Sequence, residues 1–381
     1  MTTTAIIALF YPHDIRVFKE VNTVKGEHAI HMFLTDTVKT SPKVESLDTV
    51  IVHRFHHRSF KNKVIQYPFS LFRYLQITKS VIQTSPDICH VHNFPLLFSG
   101  ILVKLFTRSG LVYDAHEDYA SMRYPHNKLL TYLLRKVELF LVRLFVDRVI
   151  TVNQSLKSYF LSSEVKTSVL MNLPFRAIQK SGDKAVISQL TDKDFVVGYV
   201  GHIHEGRGYE ALIPLCTHLI QSNVTAKFLI VGGGPFEREF DRLVKTNKLD
   251  DYFVMTGEVD HQEIPSFLRR IDVGLVLFTP ICYNNMIATP NKLFEYMAFG
   301  IPVVVSDLPE MRKIVDETRC GILIDPSNLR EIGDSIKYLT KNPEEAKKMG
   351  KNGKKAFETK YNWDIQEGEL LRMYEELMNV E

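Results

Sequence analysis

Short, almost wholly apolar runs recur along the chain at Ala5–Phe10, Ala29–Leu34, Val50–Arg54, Asp87–His92, Leu111–Asp114 and Arg148–Val152. They return at Phe195–Val200, Ala226–Val231, Tyr252–Thr256, Asp272–Phe278, Ile301–Val305 and Cys320–Ile324. Such runs, lacking polar alternation, predict strands buried on both faces of a parallel sheet. Helical patterns lie among them: Ile15–Lys25, Val64–Gln83, Phe98–Phe106, Lys128–Val146, Phe236–Lys245, Ile264–Arg270 and Lys292–Phe299, then a helix from Asn328, a charged one from Pro343, and Gln366–Met378. Strand–helix alternation in two successive blocks predicts an α/β protein of two doubly wound domains, with ligands at the carboxyl ends of the strands. The expected bounds are 1–175 for the first domain, a polar linker over 176–194, a second domain over 195–362 and a terminal helix over 363–381, with the lone tryptophan, Trp363, anchoring its packing.

One stretch carries most of the chemistry. Thr289–Glu310 reads TPNKLFEYMAFGIPVVVSDLPE. Thr or Asn caps a helix, and Pro290 fits its first turn because the N–H it lacks has no partner there. Gly300 ends the helix, Ile301–Val305 forms a strand, and Ser306–Glu310 is expected as its following loop. A helix N-terminus offers N–H groups and partial positive charge to a phosphate, and Lys292 adds a full charge. Glu295, about one turn on, shares a face with Asn291 and Lys292, where its carboxylate can accept hydrogen bonds from a ribose diol. The pieces together suggest a nucleotide-sugar site.

Other candidates sit just beyond strands. Phe195–Val200 leads into Gly201-His202-Ile203-His204-Glu205-Gly206-Arg207-Gly208, where glycine permits close backbone approach to phosphate. Arg207-Gly208 replaces the Lys-Ser/Thr of a Walker loop, and Gly232-Gly233-Gly234 is not a dinucleotide fingerprint. His116 follows the strand ending at Asp114, where sheet ligands bind. His90 and His92 are read as core or loop residues, at most one of them reaching the ligand edge. Asp192-Lys193-Asp194 matches a metal motif but precedes its strand, so a solvated turn is expected.

Several of these segments resemble the retaining family 4 glycosyltransferases of the GT-B fold. PNKLFEYMAFGIPVV resembles the donor-binding segment, FYPHDIRVFKEVNTV the opening segment, VYDAHEDY the segment whose His lies near the donor sugar, and VLMNLPF the end of the first domain. The resemblance covers nearly the whole chain. It implies two Rossmann-like domains facing an interdomain cleft, the first on the acceptor side and the second binding the nucleotide sugar. It implies that Gly201, His202, Arg207, Val259, Pro290, Asn291, Lys292 and Glu295 bind the donor, Val259 through a loop that borders the base largely by its backbone. His116, Arg207 and Lys292 would be catalytic, and Asp14 and Arg16 would lie on the acceptor side, Asp14 also capping its helix. The terminal helix would pack back across the first domain. The family's Glu-x7-Glu pair is incomplete here: the second Glu matches Glu295, while the first falls on Ile287, leaving Asn284 or Asn285 to stand in. The family mechanism lets the acceptor attack on the leaving-group face and pass its proton to the departing diphosphate. The donor is a substrate, and no metal or other cofactor is expected. Alternatives are a sugar-nucleotide epimerase of the same architecture and a non-catalytic nucleotide-sugar-binding subunit.

Composition narrows the setting. The 381 residues are 45% hydrophobic and 24% charged, with a net charge of +3, so nucleic acid is not implied as a partner. Four scattered cysteines, Cys89, Cys216, Cys282 and Cys320, suit a reduced cytoplasm. No apolar run has the length of a transmembrane helix, and Ala5–Tyr11 reads as a first strand rather than a signal peptide. Lys128–Val146 carries Arg135, Lys136 and Arg143 on a broad apolar surface. Two readings follow, a helix buried against the sheet, which the adjoining core strand favours, or a basic amphipathic helix on an anionic membrane. The expected partners are a nucleotide-sugar donor and a glycan or lipid-linked acceptor, with peripheral contact at the cytoplasmic face of a membrane left open.

Overall fold

The computed structural model describes residues 2–8, 14–36, 42–56, 63–180 and 189–379. It divides into two compact units, Met1–Asn172 with Gln366–Glu381, and Leu173–Ile365. Tyr11-Pro12-His13, the end of the first expected strand and residues 181–188 of the expected linker lie outside the described residues.

The first unit runs β1 (Thr2–Ala8), α1 (Ile15–Val24), β2 (His28–Asp36), β3 (Val44–Leu47), β4 (Val50–His56), α2 (Lys63–Thr84), β5 (Ile88–His92), α3 (Phe94–Thr107), β6 (Gly110–Ala115), α4 (Tyr119–Arg123), α5 (Lys128–Phe145), β7 (Arg148–Thr151), α6 (Gln154–Phe160) and β8 (Thr167–Val169). Its sheet has the order β3-β4-β2-β1-β5-β6-β7-β8, parallel except for β3 against β4. The winding reverses where β1 meets β5, which opens a crevice at their carboxyl ends. Strand β3 escaped the pattern because it is a short edge strand, exposed at most positions, with a Glu and a Ser among its four residues. His90 and His92, two apart on β5, project to one side and stack with ring centroids 4.5 Å apart.

Helix α5 departs from the favoured expectation of a buried helix. Only Glu138 and Val142 are buried, whereas Leu129, Tyr132, Leu133, Val137, Phe140 and Leu144 are exposed. Glu138 is the point of attachment. Its carboxylate accepts hydrogen bonds from the Tyr113 hydroxyl at 2.6 Å and the Tyr159 hydroxyl at 2.9 Å.

The second unit runs β9 (Val196–Val200), α7 (Leu212–Gln221), β10 (Lys227–Val231), α8 (Glu237–Thr246), β11 (Phe253–Met255), α9 (Ile264–Leu268), β12 (Val273–Val276), α10 (Tyr283–Met286), α11 (Asn291–Phe299), β13 (Val303–Ser306), α12 (Pro309–Thr318), β14 (Gly321–Ile324), α13 (Leu329–Lys341) and α14 (Pro343–Thr359). The sheet order is β11-β10-β9-β12-β13-β14, all parallel, and the winding reverses where β9 meets β12. A final helix, α15 (Trp363–Met378), has Trp363 fully buried, its N–H bonded to the Pro174 carbonyl; from Gln366 onward α15 belongs to the first unit, where Tyr374 shares a 2.7 Å hydrogen bond with His90 Nδ1.

Two local differences bear on the site. Ile301 and Pro302 belong to a turn rather than to β13. Gly300, left-handed at φ 69°, donates to the Met297 carbonyl, and the Ile301 N–H bonds Tyr296, which is the Schellman pattern. Ser306–Glu310 is not all loop either. Ser306 closes β13, and Pro309 begins α12, where its missing N–H costs nothing.

Candidate functional site

In the second unit the crevice at the β9–β12 reversal is edged by residues 201–208 after β9 and residues 277–290 after β12. Helix α11 starts at its rim and is seated by Tyr296. That hydroxyl donates to the Gly198 carbonyl at 3.0 Å and accepts from the Val200 N–H at 3.1 Å, reaching between the two central strands just past their last paired residues. Gly274 makes room for the ring, since a Cβ there would lie 2.5 Å from it. The helix therefore presents its N-terminus at a fixed place. Pro290 occupies the N-cap, with no side-chain hydrogen bond to the first turn, so the expected Thr or Asn cap is replaced by an end whose N–H groups no capping side chain occupies.

Lys292 and Arg207 come together here. Lys292 is 8% exposed, and its Nζ lies 4.0 Å from the Tyr199 ring centroid and 6.0 Å from that of Phe278. The Arg207 guanidinium lies over the same Phe278 ring at 4.5 Å. Burial, and then the charge of Arg207, push Lys292 down to about 7, against the opposing pull of Glu295. Two cations on aromatic faces beside a helix N-terminus form a site for an anion, because a bound anion relieves their mutual repulsion and takes up the helix N–H groups. Gly201, at φ 118°, lets the loop turn against Lys292, with Nζ at 3.7 Å from where a Cβ would stand. His202 is exposed and its carbonyl accepts the Tyr199 hydroxyl at 2.8 Å. Gly208 could carry no side chain, since a Cβ would lie 2.3 Å from Leu277.

Glu295 is buried on α11, with Oε1 3.5 Å from His261 Nε2. Val259 is half-buried in the loop after β11. Ile287, at the position of the missing family carboxylate, is 3% exposed and points into the core. Asn285 does not offer a replacement: its buried amide donates to the Gly206 and Thr279 carbonyls, tying the two rim loops together. Asp192 and Asp194 lie in an exposed turn, Asp194 accepting from Thr191.

In the first unit the crevice of the β1–β5 reversal holds a dense polar cluster. Asp14 caps α1, accepting from the N–H groups of Arg16 and Val17. Arg16, expected on the acceptor side, is buried rather than open to a ligand. It is 1% exposed, bonds Asp114 through Nε at 2.7 Å and through its terminal nitrogen at 2.9 Å, reaches the Leu170 carbonyl at 2.7 Å, and lies 3.1 Å from Glu20. With its donors turned to Asp114, Glu20 and the Leu170 carbonyl, it is a clamp inside the unit. Burial opposes the charge on Asp114, yet Arg16 and then His116 hold its carboxyl well below the usual range. Burial and then Asp114 push Glu20 well above it. Burial lowers both His90 and His92, against the pull of Asp114.

His116 lies at the edge of this cluster and is 17% exposed, its Nε2 3.0 Å from His92 Nδ1 and 3.2 Å from Asp114 Oδ2. Asp114 and His92 thus fix the ring's orientation. One donor atom each from Glu20, His90, His92 and Asp114 falls within 4.8 Å of the others. That is a metal-like gathering, but the Arg16 guanidinium already supplies the positive charge at both carboxylates. The pattern reading missed Tyr199, Phe278, Tyr296 and His261, and it missed the roles of Asp114 and His92. The strand-end position of Phe278 was the one available signal for the aromatic floor.

A two-unit α/β protein with a cation-flanked helix start at one switch point and an oriented histidine at the other is the class these features define. Residues 23–169 match Glycosyltransferase Family 4 and residues 182–356 match Glycosyl transferases group 1, and the chain belongs to this family of glycosyltransferases. It is similar to the alpha-D-kanosaminyltransferase of Streptomyces kanamyceticus, 27% identical over 188 residues (49% of this chain, 47% of the relative), and to the putative colanic acid biosynthesis glycosyltransferase WcaL of Escherichia coli K12, 25% identical over 179 residues (47% and 44%). The chain spans about half the length of these curated relatives. The fold is similar to that of sucrose-phosphate synthase from Thermosynechococcus elongatus, with a TM-score of 0.82, 16% identity and 100% of both chains covered. It is also similar to Anabaena HepE in complex with UDP-glucose, with a TM-score of 0.75, 16% identity and coverage of 99% and 100%. Both likenesses establish the GT-B fold.

Proposed function

We propose that the protein is a retaining glycosyltransferase that moves a sugar from a nucleoside-diphosphate sugar to a glycan or lipid-linked acceptor in cell-surface polysaccharide synthesis. The observation that carries this reading is the meeting of Lys292 and Arg207 over Phe278 at the start of α11. Charge grows on the diphosphate as the glycosidic bond breaks, so cations and helix N–H groups aimed there stabilise the transition state more than the bound donor. Glu295 holds the ribose diol, with Pro290 and Asn291 at the phosphate end and Gly201, His202 and Val259 lining the donor loops. His116, oriented by Asp114 and His92, acts on the donor sugar. Ile287 supplies no carboxylate base, which suits a mechanism in which the acceptor's proton passes to the departing diphosphate. The neighbour HepE in complex with UDP-glucose supports the donor class, and WcaL, a putative colanic acid glycosyltransferase, supports the polysaccharide setting.

The test is to incubate the full chain with UDP-, GDP- and ADP-sugars and glycan or polyprenyl-phosphosugar acceptors, then to read the anomeric configuration of the product by NMR. Transfer with the donor's configuration kept is expected. Inversion would refute the retaining mechanism. Tight donor binding with neither transfer nor hydrolysis across the acceptors would favour a non-catalytic subunit.

A further inference from the structure

Helix α5 carries its apolar face outward. Leu129, Tyr132, Leu133, Val137, Phe140 and Leu144 follow the i, i+3, i+4, i+7 spacing of one stripe, with Leu129 69% exposed and Phe140 59%. The surface does not stop at α5. Helix α3, which packs beside both α5 and α2, exposes Phe98, Leu105 and Phe106, and α2 exposes Leu71, Phe72 and Leu75. Exposed apolar ground on three neighbouring helices exceeds the scattered residues normal on a soluble surface and marks a binding face.

The charges on α5 choose the occupant. Lys128, Lys136 and Arg143 are exposed along the apolar stripe, and the helix's one carboxylate, Glu138, is buried. Lys136 lies 5.5 Å from the Tyr132 ring centroid, so cation and aromatic stand side by side. The acidic groups recorded near this face are paired, Glu164 with Arg143 at 3.0 Å, Asp118 with Arg135, and Asp147 with Lys104 at 2.6 Å, which leaves Lys128 and Lys136 as its exposed charge. Leu and Phe for an acyl layer, Tyr at its boundary and lysines level with it match the interface of an anionic bilayer. No helix among the described residues is long and apolar enough to cross a membrane, so the contact is with the surface. We propose that the outward face of α5, flanked by α2 and α3, docks the protein on a membrane rich in anionic lipid, with Leu133 and Phe140 entering the acyl boundary and Lys128 and Lys136 meeting the headgroups. The proposal stands on exposure and charge and does not depend on the donor or the reaction.

The experiment is co-sedimentation of the full chain with vesicles of phosphatidylcholine alone and of phosphatidylcholine mixed with phosphatidylglycerol. The wild type should partition to the anionic vesicles, and added salt should weaken this. The Leu133→Asp/Phe140→Asp variant should lose binding at an unchanged melting temperature, because both side chains are exposed. Lys128→Glu/Lys136→Glu should lower partition at least about fivefold per substituted residue; if the aspartate variant misfolds, this pair alone decides. Wild type that fails to sediment with anionic vesicles, or variants that bind as well as wild type, would overturn the proposal. So would light scattering that shows a wild-type dimer, made monomeric by Phe140→Asp, with no vesicle binding.

Discussion

Lys292 shows how one residue couples burial to chemistry. Its ammonium is buried against Tyr199 and Phe278, and burial together with Arg207 brings it down to about 7. At pH 8 such a group is about nine-tenths neutral. A bound diphosphate restores the charge by raising the pKa again, so binding draws in a proton at any pH between the free and bound values. Affinity should therefore fall as pH rises above about 7, by at most about tenfold per unit. Calorimetry at pH 8 in two buffers of different ionisation enthalpy should show proton uptake, and Lys292→Ala should abolish it; equal heats in both buffers for wild type would refute the linkage. Arg16 is the opposite case. It is buried too, but Asp114 and Glu20 outweigh the burial and hold it firmly charged, so its work is structural.

At the scale of elements, the apolar runs located the core strands because parallel strands buried on both faces have little freedom in composition. The segment of helix α11 was legible for a related reason: Pro290, Lys292, Glu295 and Gly300 each answer a local demand at one helix. Other features depend on partners distant in sequence. The buried place of Arg16 left no local mark, because its carboxylate partner, Asp114, lies on another strand 98 residues away. The aromatic floor of Tyr199 and Phe278 looked like ordinary core. Helix α5 looked like core for the same reason, since periodicity shows a stripe but not which way it faces. Its one deep polar contact yields a prediction. Burial pushes Glu138 up to about 7, while the Tyr113 and Tyr159 hydrogen bonds pull it down. A carboxyl raised in the folded state favours folding most at low pH, and that stability is lost as pH rises from about 4.5 to about 7. Relative to Glu138→Gln, wild type should lose about 2–3 kcal/mol over this window. Urea denaturation at pH 4.5 and pH 8 reads the difference, and parallel pH profiles would refute it.

At the scale of the whole molecule, each unit repeats one device: a parallel sheet whose winding reverses at its centre and so gathers chemistry at the carboxyl ends of two strands. The first unit spends that position on the cluster that orients His116, with α15 reaching it through Tyr374 and His90. The second spends it on Lys292, Arg207 and the start of α11. A nucleoside diphosphate at this second position is the claim on which the functional reading depends. Titration calorimetry of the full chain with UDP, GDP and ADP at pH 7 tests it directly, for wild type and for Arg207→Ala and Glu295→Ala. Expected is binding of at least one nucleoside diphosphate, weakened in both variants, by about 1–3 kcal/mol for Glu295→Ala if its carboxylate accepts the ribose hydrogen bonds. Absence of binding by all three, or wild-type affinity in both variants, would contradict it.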